Sequence, residues 1–201
     1  HTVIIIGINY KSQSRRKSIM SKKFTCRYRK CPNICDEIFP NDMHIISVFG
    51  ASNKGKTKML IMVIDILLQT NSGFKYITYK PRRYKNALDK TYIFQEARSG
   101  LRVGITTTGD GCYYIAEEMA FMKEQKCDLY VCASHKRGAT LDWLLKRTSK
   151  GELLRYPKDT VEKTSTEAEQ FSGNRKQAEE MFEIIKSWVS KHSLNFGSSN
   201  S

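Results

Sequence analysis

The chain has 201 residues, 40% of them apolar, so it is long enough for one full hydrophobic core and too short for two ordinary domains. Its 34 lysines and arginines outnumber its 20 acidic residues, which gives a formal net charge of +14. No apolar run reaches the roughly 20 residues of a membrane-spanning helix, because the run from Met59 to Leu68 contains Asp65. The sequence therefore predicts one globular domain with no membrane partner.

Residues 1–40 are predicted to form a basic, cysteine-containing N-terminal extension. Positions 1–35 hold nine lysines and arginines and no acidic residue. Such a run favours a nucleic acid or an acidic protein as partner, with a solvated arm as the alternative. Cys26, Cys31 and Cys35 follow C-x4-C-x3-C spacing, and they are either zinc-binding thiolates or plain thiols, since the usual metal-binding pair is separated by two residues.

The segment GASNKGKT, residues 50–57, organises the rest of the chain. It follows the apolar run His44 to Phe49 and opens the apolar segment that starts at Met59, which predicts strand, loop and helix in that order. Its two glycines permit a tight turn whose N–H groups converge at the positive end of the helix, where a phosphate binds. The predicted cofactor-binding residues are Gly50, Ala51, Ser52, Asn53, Lys54, Gly55, Lys56, Thr57 and Lys58.

This segment resembles the complete Walker A motif of the P-loop NTPase superfamily, G-x-x-x-x-G-K-[ST]. The resemblance implies that Lys56 is catalytic and contacts the β- and γ-phosphates, and that the Thr57 hydroxyl binds Mg²⁺. It also implies a three-layer α/β domain with a central, mostly parallel sheet. Because the superfamily includes kinases, GTPases and ATPases, it fixes the ligand class, ATP or GTP, and little more.

Two strand-like runs, Thr91 to Ala97 and Leu101 to Thr108, predict one β-hairpin. The second run is followed by Asp110 between two glycines. P-loop proteins hold the Mg²⁺ shell with a carboxylate just past the carboxyl end of a core strand, so Asp110 is predicted to be a catalytic residue and metal ligand. A turn aspartate before a helix is the alternative. Asp128 precedes its strand and is predicted to lie at the opposite end of the sheet.

The next predicted strand, 129–133, is followed by Ser134, His135, Lys136 and Arg137. Since parallel strands present their carboxyl ends together, this basic turn is predicted to share an edge with the phosphate-binding loop. Arg137, with His135 or Lys136, is therefore a catalytic candidate that stabilises the γ-phosphate. A surface loop that caps the helix from Leu141 is the alternative.

A long terminal helix is predicted to complete the domain, which spans residues 41–194. Thr164 and Glu167 have capping-box spacing, and an apolar stripe predicted to pack in the core follows at Ala178, Met181, Phe182, Ile185, Trp188 and Val189. Residues 195–201 are predicted to be a flexible tail.

The order of elements over residues 44–134 resembles that of small Ras-like GTPases, and Asn53 matches a loop variant common among them. The guanine-reading sequence N-K-x-D is absent, so ATP is expected ahead of GTP. The sequence thus predicts a cytoplasmic, Mg²⁺-dependent NTPase with reduced thiols that hydrolyses its substrate slowly. The alternatives are a small nucleotide or metabolite kinase, with a lid formed by Lys136 and Arg137 or by Arg82 and Arg83, and a nucleotide-gated module that binds nucleic acid or an acidic protein.

Overall fold

The computed structural model describes residues 43–51, 55–81, 90–109, 111–148, 151–158 and 166–196. The predicted α/β class is confirmed, because helices alternate with the strands of one central sheet. In chain order the elements are β1 (His44–Phe49), α1 (Lys56–Leu67), β2 (Phe74–Pro81), β3 (Lys90–Glu96), β4 (Arg102–Thr106), α2 (Cys112–Glu124), β5 (Leu129–Ser134), α3 (Ala139–Arg147), β6 (Leu153–Pro157) and α4 (Glu167–Phe196).

The six strands form one mixed sheet in the order β2-β3-β4-β5-β1-β6. The pairs β4–β5, β5–β1 and β1–β6 are parallel, as predicted for the centre of the sheet. The predicted hairpin is β3–β4, and β2 pairs antiparallel with β3 at the outer edge. The sheet is therefore parallel where the loop of residues 50–57, which is predicted to bind phosphate, follows β1, and it is antiparallel on the far side.

Helices cover both faces of the sheet and make three layers. Side chains alternate between the faces, so Ile46 and Val48 of β1 pack with α1 and α4, whereas Ile45 packs with α2 and α3. The predicted stripe of α4 is confirmed: its buried members pack in the first of these clusters, and Phe182 is partly buried against it. The buried apolar surface thus holds α1 and α4 on the same face of the sheet.

The carboxyl ends of the parallel strands meet at one edge of the sheet, which we call the carboxyl edge. Phe49 at the end of β1 is in register with Ser134 of β5 and Pro157 of β6. Asp128 lies at the opposite, amino edge, where its carboxylate accepts a hydrogen bond from Arg102 N at 2.8 Å. The sequence prediction that Asp128 is remote from the phosphate-binding loop is confirmed.

Strand β5 lies between β4 and β1, so the segment after β4 must cross the end of β5 to approach the phosphate-binding loop. A glycine makes this crossing possible. A Cβ atom built on Gly109 would lie 2.6 Å from the Cβ of Ala133, closer than side-chain atoms approach one another. The backbone of residues 107–109 therefore passes directly over the end of β5.

The amino end of α4 carries a capping box, but not at the predicted positions. Thr166 Oγ1 accepts a hydrogen bond from Glu169 N at 3.2 Å, and Glu169 accepts one from Thr166 N at 2.7 Å. The backbone N–H and the hydroxyl of Thr166 both donate to the Glu169 carboxylate, and these two hydrogen bonds lower the pKa of Glu169. The helix accordingly begins at Glu167, which was predicted to be the glutamate of the capping box. It extends to Phe196, beyond residue 194, the predicted end of the domain.

Several predicted features lie outside the described residues: the arm 1–40 with Cys26, Cys31 and Cys35, the loop residues Ser52, Asn53 and Lys54, the pair Arg82 and Arg83, Asp110, Thr164, and positions 197–201. Across the part of the chain that the structure describes, no helix combines the length and apolarity needed to cross a membrane.

Candidate functional site

The loop predicted to bind phosphate connects β1 to α1, and the structure describes its two ends, residues 50–51 and 55–57. Gly50 N donates a hydrogen bond to the carbonyl of Ser134, 3.4 Å away, which ties the start of the loop to β5. Gly55 precedes the first residue of α1 with φ of +80°, a left-handed conformation that favours glycine. The chain can therefore turn sharply into the helix, and the first backbone N–H groups of α1 face the loop.

Lys56 lies within this loop and is buried, with 8% of its surface exposed. Its Nζ donates hydrogen bonds to the carbonyl oxygens of Gly50 at 3.1 Å and Ala51 at 2.7 Å. The ammonium group is thus held against the turn by backbone acceptors. Lys58, two residues further along α1, is exposed to solvent.

Thr57 connects α1 to the segment that follows β4. Its hydroxyl donates to the carbonyl oxygen of Thr107 over a long distance, 3.5 Å. The side chain of Thr107 is fixed from the other side, because its hydroxyl accepts a hydrogen bond from Lys90 N at 3.0 Å. The segment that leads to Asp110 therefore reaches the start of α1, although β5 lies between β4 and β1.

Lys158, immediately after β6, packs against the first glycine of the loop. Its backbone N–H donates to the carbonyl of Phe49 at 2.9 Å, and a Cβ built on Gly50 would lie 3.4 Å from the Cβ of Lys158. The buried Nζ of Lys158 donates to Gln177 Oε1 of α4 at 2.5 Å. Lys158 therefore contacts the loop through its Cβ while its buried ammonium binds α4, a contact that the sequence did not predict.

Asn174 of α4 lies against the last glycine of the loop. A Cβ built on Gly55 would be 2.9 Å from Asn174 Oδ1 and 3.3 Å from Nδ2. Asn174 is only 4% exposed, and its Oδ1 has no hydrogen-bond partner among the residues that the structure describes. A buried amide oxygen without a partner is costly, which makes this contact a candidate for a functional role.

The helical spacing of residues along α4 could have predicted that these two amides are buried. Asn174 and Gln177 continue the apolar stripe of α4 towards its amino end, four and one residues before Ala178. Polar residues on the buried stripe of a helix must face other polar groups in the interior. The stripe could therefore have identified both residues, but not the loop that they contact.

The turn after β5 also lies at the carboxyl edge, as predicted. Lys136 and Arg137 are exposed, and the carbonyl of Lys136 accepts a hydrogen bond from Arg155 Nη2 at 3.2 Å. The guanidinium of Arg155 also lies 4.2 Å from the ring centre of Phe49, the residue before the loop. Lys136, Arg137 and Arg155 thus add positive charge at the edge of the sheet where the loop begins, which favours an anionic ligand.

Cys132 lies in β5, two residues before the strand ends at Ser134. It is fully buried, and burial raises the pKa of its thiol to about 12, although a hydrogen bond with Ser47 opposes the shift. The Ser47 hydroxyl also donates to Ser134 Oγ at 2.6 Å. A thiol that is protonated at neutral pH is a poor nucleophile, so Cys132 is suited to packing rather than to nucleophilic chemistry.

Comparison of the chain with models of protein families, with curated proteins and with solved structures gave no significant match.

Proposed function

We propose that this chain binds a nucleoside triphosphate together with Mg²⁺ in the loop of residues 50–57 and slowly hydrolyses its β–γ phosphoanhydride bond, with ATP preferred over GTP. The observation that carries the proposal is the conformation at the end of the loop. Left-handed Gly55 turns the chain into α1, and Lys56 Nζ lies over the carbonyls of Gly50 and Ala51.

The electrostatics of the loop suit a triphosphate. The amino end of a helix carries about half a positive charge and unsatisfied N–H groups, and α1 begins directly after Gly55. Lys56 adds a full charge that can move from the backbone carbonyls to phosphate oxygens, and the side chain of Lys158, a second buried cation, packs against Gly50. A polyanion would satisfy these charges better than solvent or a neutral ligand.

The donor set also fits Mg²⁺, which prefers hard oxygen ligands. Thr57 supplies a hydroxyl, the Thr107 carbonyl lies 3.5 Å from it, and Asp110 follows three residues later in the sequence. When bound, the ion would neutralise charge on the β- and γ-phosphates. Arg137 and Lys136, exposed on the same edge, would extend towards the γ-phosphate from the turn after β5.

The decisive experiment incubates the full chain with Mg²⁺ and ATP or GTP labelled at the γ-phosphate, and separates free phosphate from phosphorylated products. We expect free phosphate to form, to require Mg²⁺ and to be lost in Lys56→Ala. Transfer of the label to another nucleotide or metabolite would instead favour the kinase. Stimulation by added nucleic acid would favour the gated module, and undetectable binding of either nucleotide to the wild-type chain would contradict the proposal.

A further inference from the structure

The amino edge of the sheet, opposite the phosphate-binding loop, brings together two histidines and a carboxylate from three elements. His44 begins β1, Glu152 immediately precedes β6, and His192 lies near the end of α4. One ligand atom from each lies within 4.8 Å of the others, and all three residues are half-buried. We infer that His44, Glu152 and His192, which we call the amino-edge triad, form a binding site for a divalent transition-metal ion such as Zn²⁺.

The hydrogen bonding of His192 leaves one nitrogen available to a metal. Its Nδ1 lies 2.7 Å from the carbonyl oxygen of Trp188, and because a carbonyl only accepts, Nδ1 must carry the proton. In the neutral ring Nε2 then has a free lone pair. An imidazole that donates its other N–H to a backbone carbonyl is the usual arrangement of a metal-bound histidine.

The two imidazole rings have the separation that a shared ion requires. Their centres are 4.9 Å apart, and their planes make an angle of 63°. Two imidazoles bound through nitrogen at about 2.0–2.1 Å to one tetrahedral ion would have centres about 5 Å apart. The ring of Trp188 stacks on that of His192 with their centres 4.0 Å apart, and its centre lies 5.4 Å from that of His44. The indole therefore holds both imidazoles in place.

Glu152 completes the triad from a fixed backbone position. Its carbonyl accepts a hydrogen bond from Ile45 N at 2.7 Å, which anchors it beside β1, while its side chain is 44% exposed and can rotate towards the imidazoles. The ammonium of Lys191 lies 3.8 Å from the Glu152 carboxylate and competes with a metal for it. Lys191 is 67% exposed, so it can move into solvent when a metal binds.

Two imidazoles and one carboxylate are a set that binds Zn²⁺ with a fourth position left for water. The ion would join β1, the start of β6 and the carboxyl-terminal part of α4. The same helix contacts the phosphate-binding loop through Asn174, 18 residues and about 27 Å earlier. Metal binding would therefore hold α4 against the sheet at the end remote from the loop.

The test uses the full chain carrying Cys26→Ser, Cys31→Ser and Cys35→Ser, so that thiols in the arm cannot account for binding. Titration with Zn²⁺ should show one saturable site. At free Zn²⁺ about a hundred times Kd, thermal unfolding should shift upward by about 5–10 °C. Glu152→Gln and His192→Gln should each weaken binding by more than about a hundredfold, because loss of even an outer-shell partner costs 10–100-fold. His135→Gln, at the opposite edge, should bind as tightly as the parent.

Lys191→Ala provides a variant that should gain affinity. Removing the competing ammonium should tighten Zn²⁺ binding by about two- to fivefold, the range expected for an exposed ion pair. A cluster that only packs would not respond in this way. Zn²⁺ affinity unchanged in Glu152→Gln and His192→Gln variants with parental circular dichroism, or the absence of saturable one-to-one binding in the parent, would overturn the inference.

Discussion

The amide of Asn174 occupies the space that a side chain on Gly55 would need. A Cβ atom at position 55 would lie 2.9 Å from Asn174 Oδ1, and φ at this position is already +80°. The two residues are 119 positions apart in sequence, yet they close the end of the phosphate-binding loop together. Helix α4 therefore forms one wall of the loop.

Substitutions at two glycines can separate backbone strain from this contact. Gly73 has φ of +84° with nothing within 4 Å of a built Cβ, so Gly73→Ala should cost about 1–2 kcal/mol from strain alone. Gly55→Ala should cost about 1–3 kcal/mol more, because the new methyl group meets Asn174. The free energy of unfolding in urea measures both variants.

The double variant Gly55→Ala with Asn174→Ala is the control. It should recover the packing part of the cost and leave a loss similar to that of Gly73→Ala. Equal losses for the two single glycine variants would show that Asn174 moves away without cost.

Lys56→Ala should weaken binding of Mg·ATP by about 2–3 kcal/mol, because a charge-assisted phosphate contact is lost. Isothermal titration calorimetry measures the affinity. Lys75→Ala, an exposed lysine on β2, removes the same charge away from the loop and should leave the affinity unchanged. Equal affinities of Lys56→Ala and wild type would contradict the assignment of the loop.

Asp110→Asn should lower Mg²⁺-dependent hydrolysis more than it lowers nucleotide affinity. The reason is that the segment leading to Asp110 contacts Thr57 through Thr107, so a carboxylate there is suited to the metal shell. Initial rates over a range of Mg²⁺ concentrations measure the effect. Asp65→Asn, an exposed position on α1, is the matched control. Unchanged hydrolysis in Asp110→Asn would assign the metal carboxylate to another residue.

The helices and strands were predictable from the sequence because the spacing of apolar residues within each element is a local pattern. The apolar run before Gly50, the hairpin around Gly100 and the stripe of α4 each specify an element without reference to the rest of the chain. The capping box was predicted two residues early, because Thr164 and Thr166 are each followed three residues later by a glutamate, Glu167 and Glu169.

The order of the strands and the walls of the loop were not predictable in this way. The position of β5 between β4 and β1 depends on how the helices pack on the sheet, and no local sequence pattern predicts it. Lys158 and Asn174 reach the loop from more than 100 residues away. A single sequence shows that such polar residues are present, but not which segment they contact.

The choice of base is the sharpest prediction: ATP should compete for the site at least as well as GTP. Strong selection for guanine requires buried hydrogen-bond partners matched to its edge, because the penalty for unpaired groups produces the discrimination.

The turn after β5 lies beside the phosphate-binding loop, but residues 134–140 contain neither asparagine nor aspartate, and the Ser134 hydroxyl already pairs with Ser47 at 2.6 Å. Without such partners, discrimination would depend on backbone groups or on stacking, and stacking separates purines only weakly. Displacement of a fluorescent nucleotide by ATP and by GTP, with Lys56→Ala as the background control, measures the ratio of affinities. A preference for GTP of about a hundredfold or more would show that other groups read guanine, and would favour the resemblance to Ras-like GTPases.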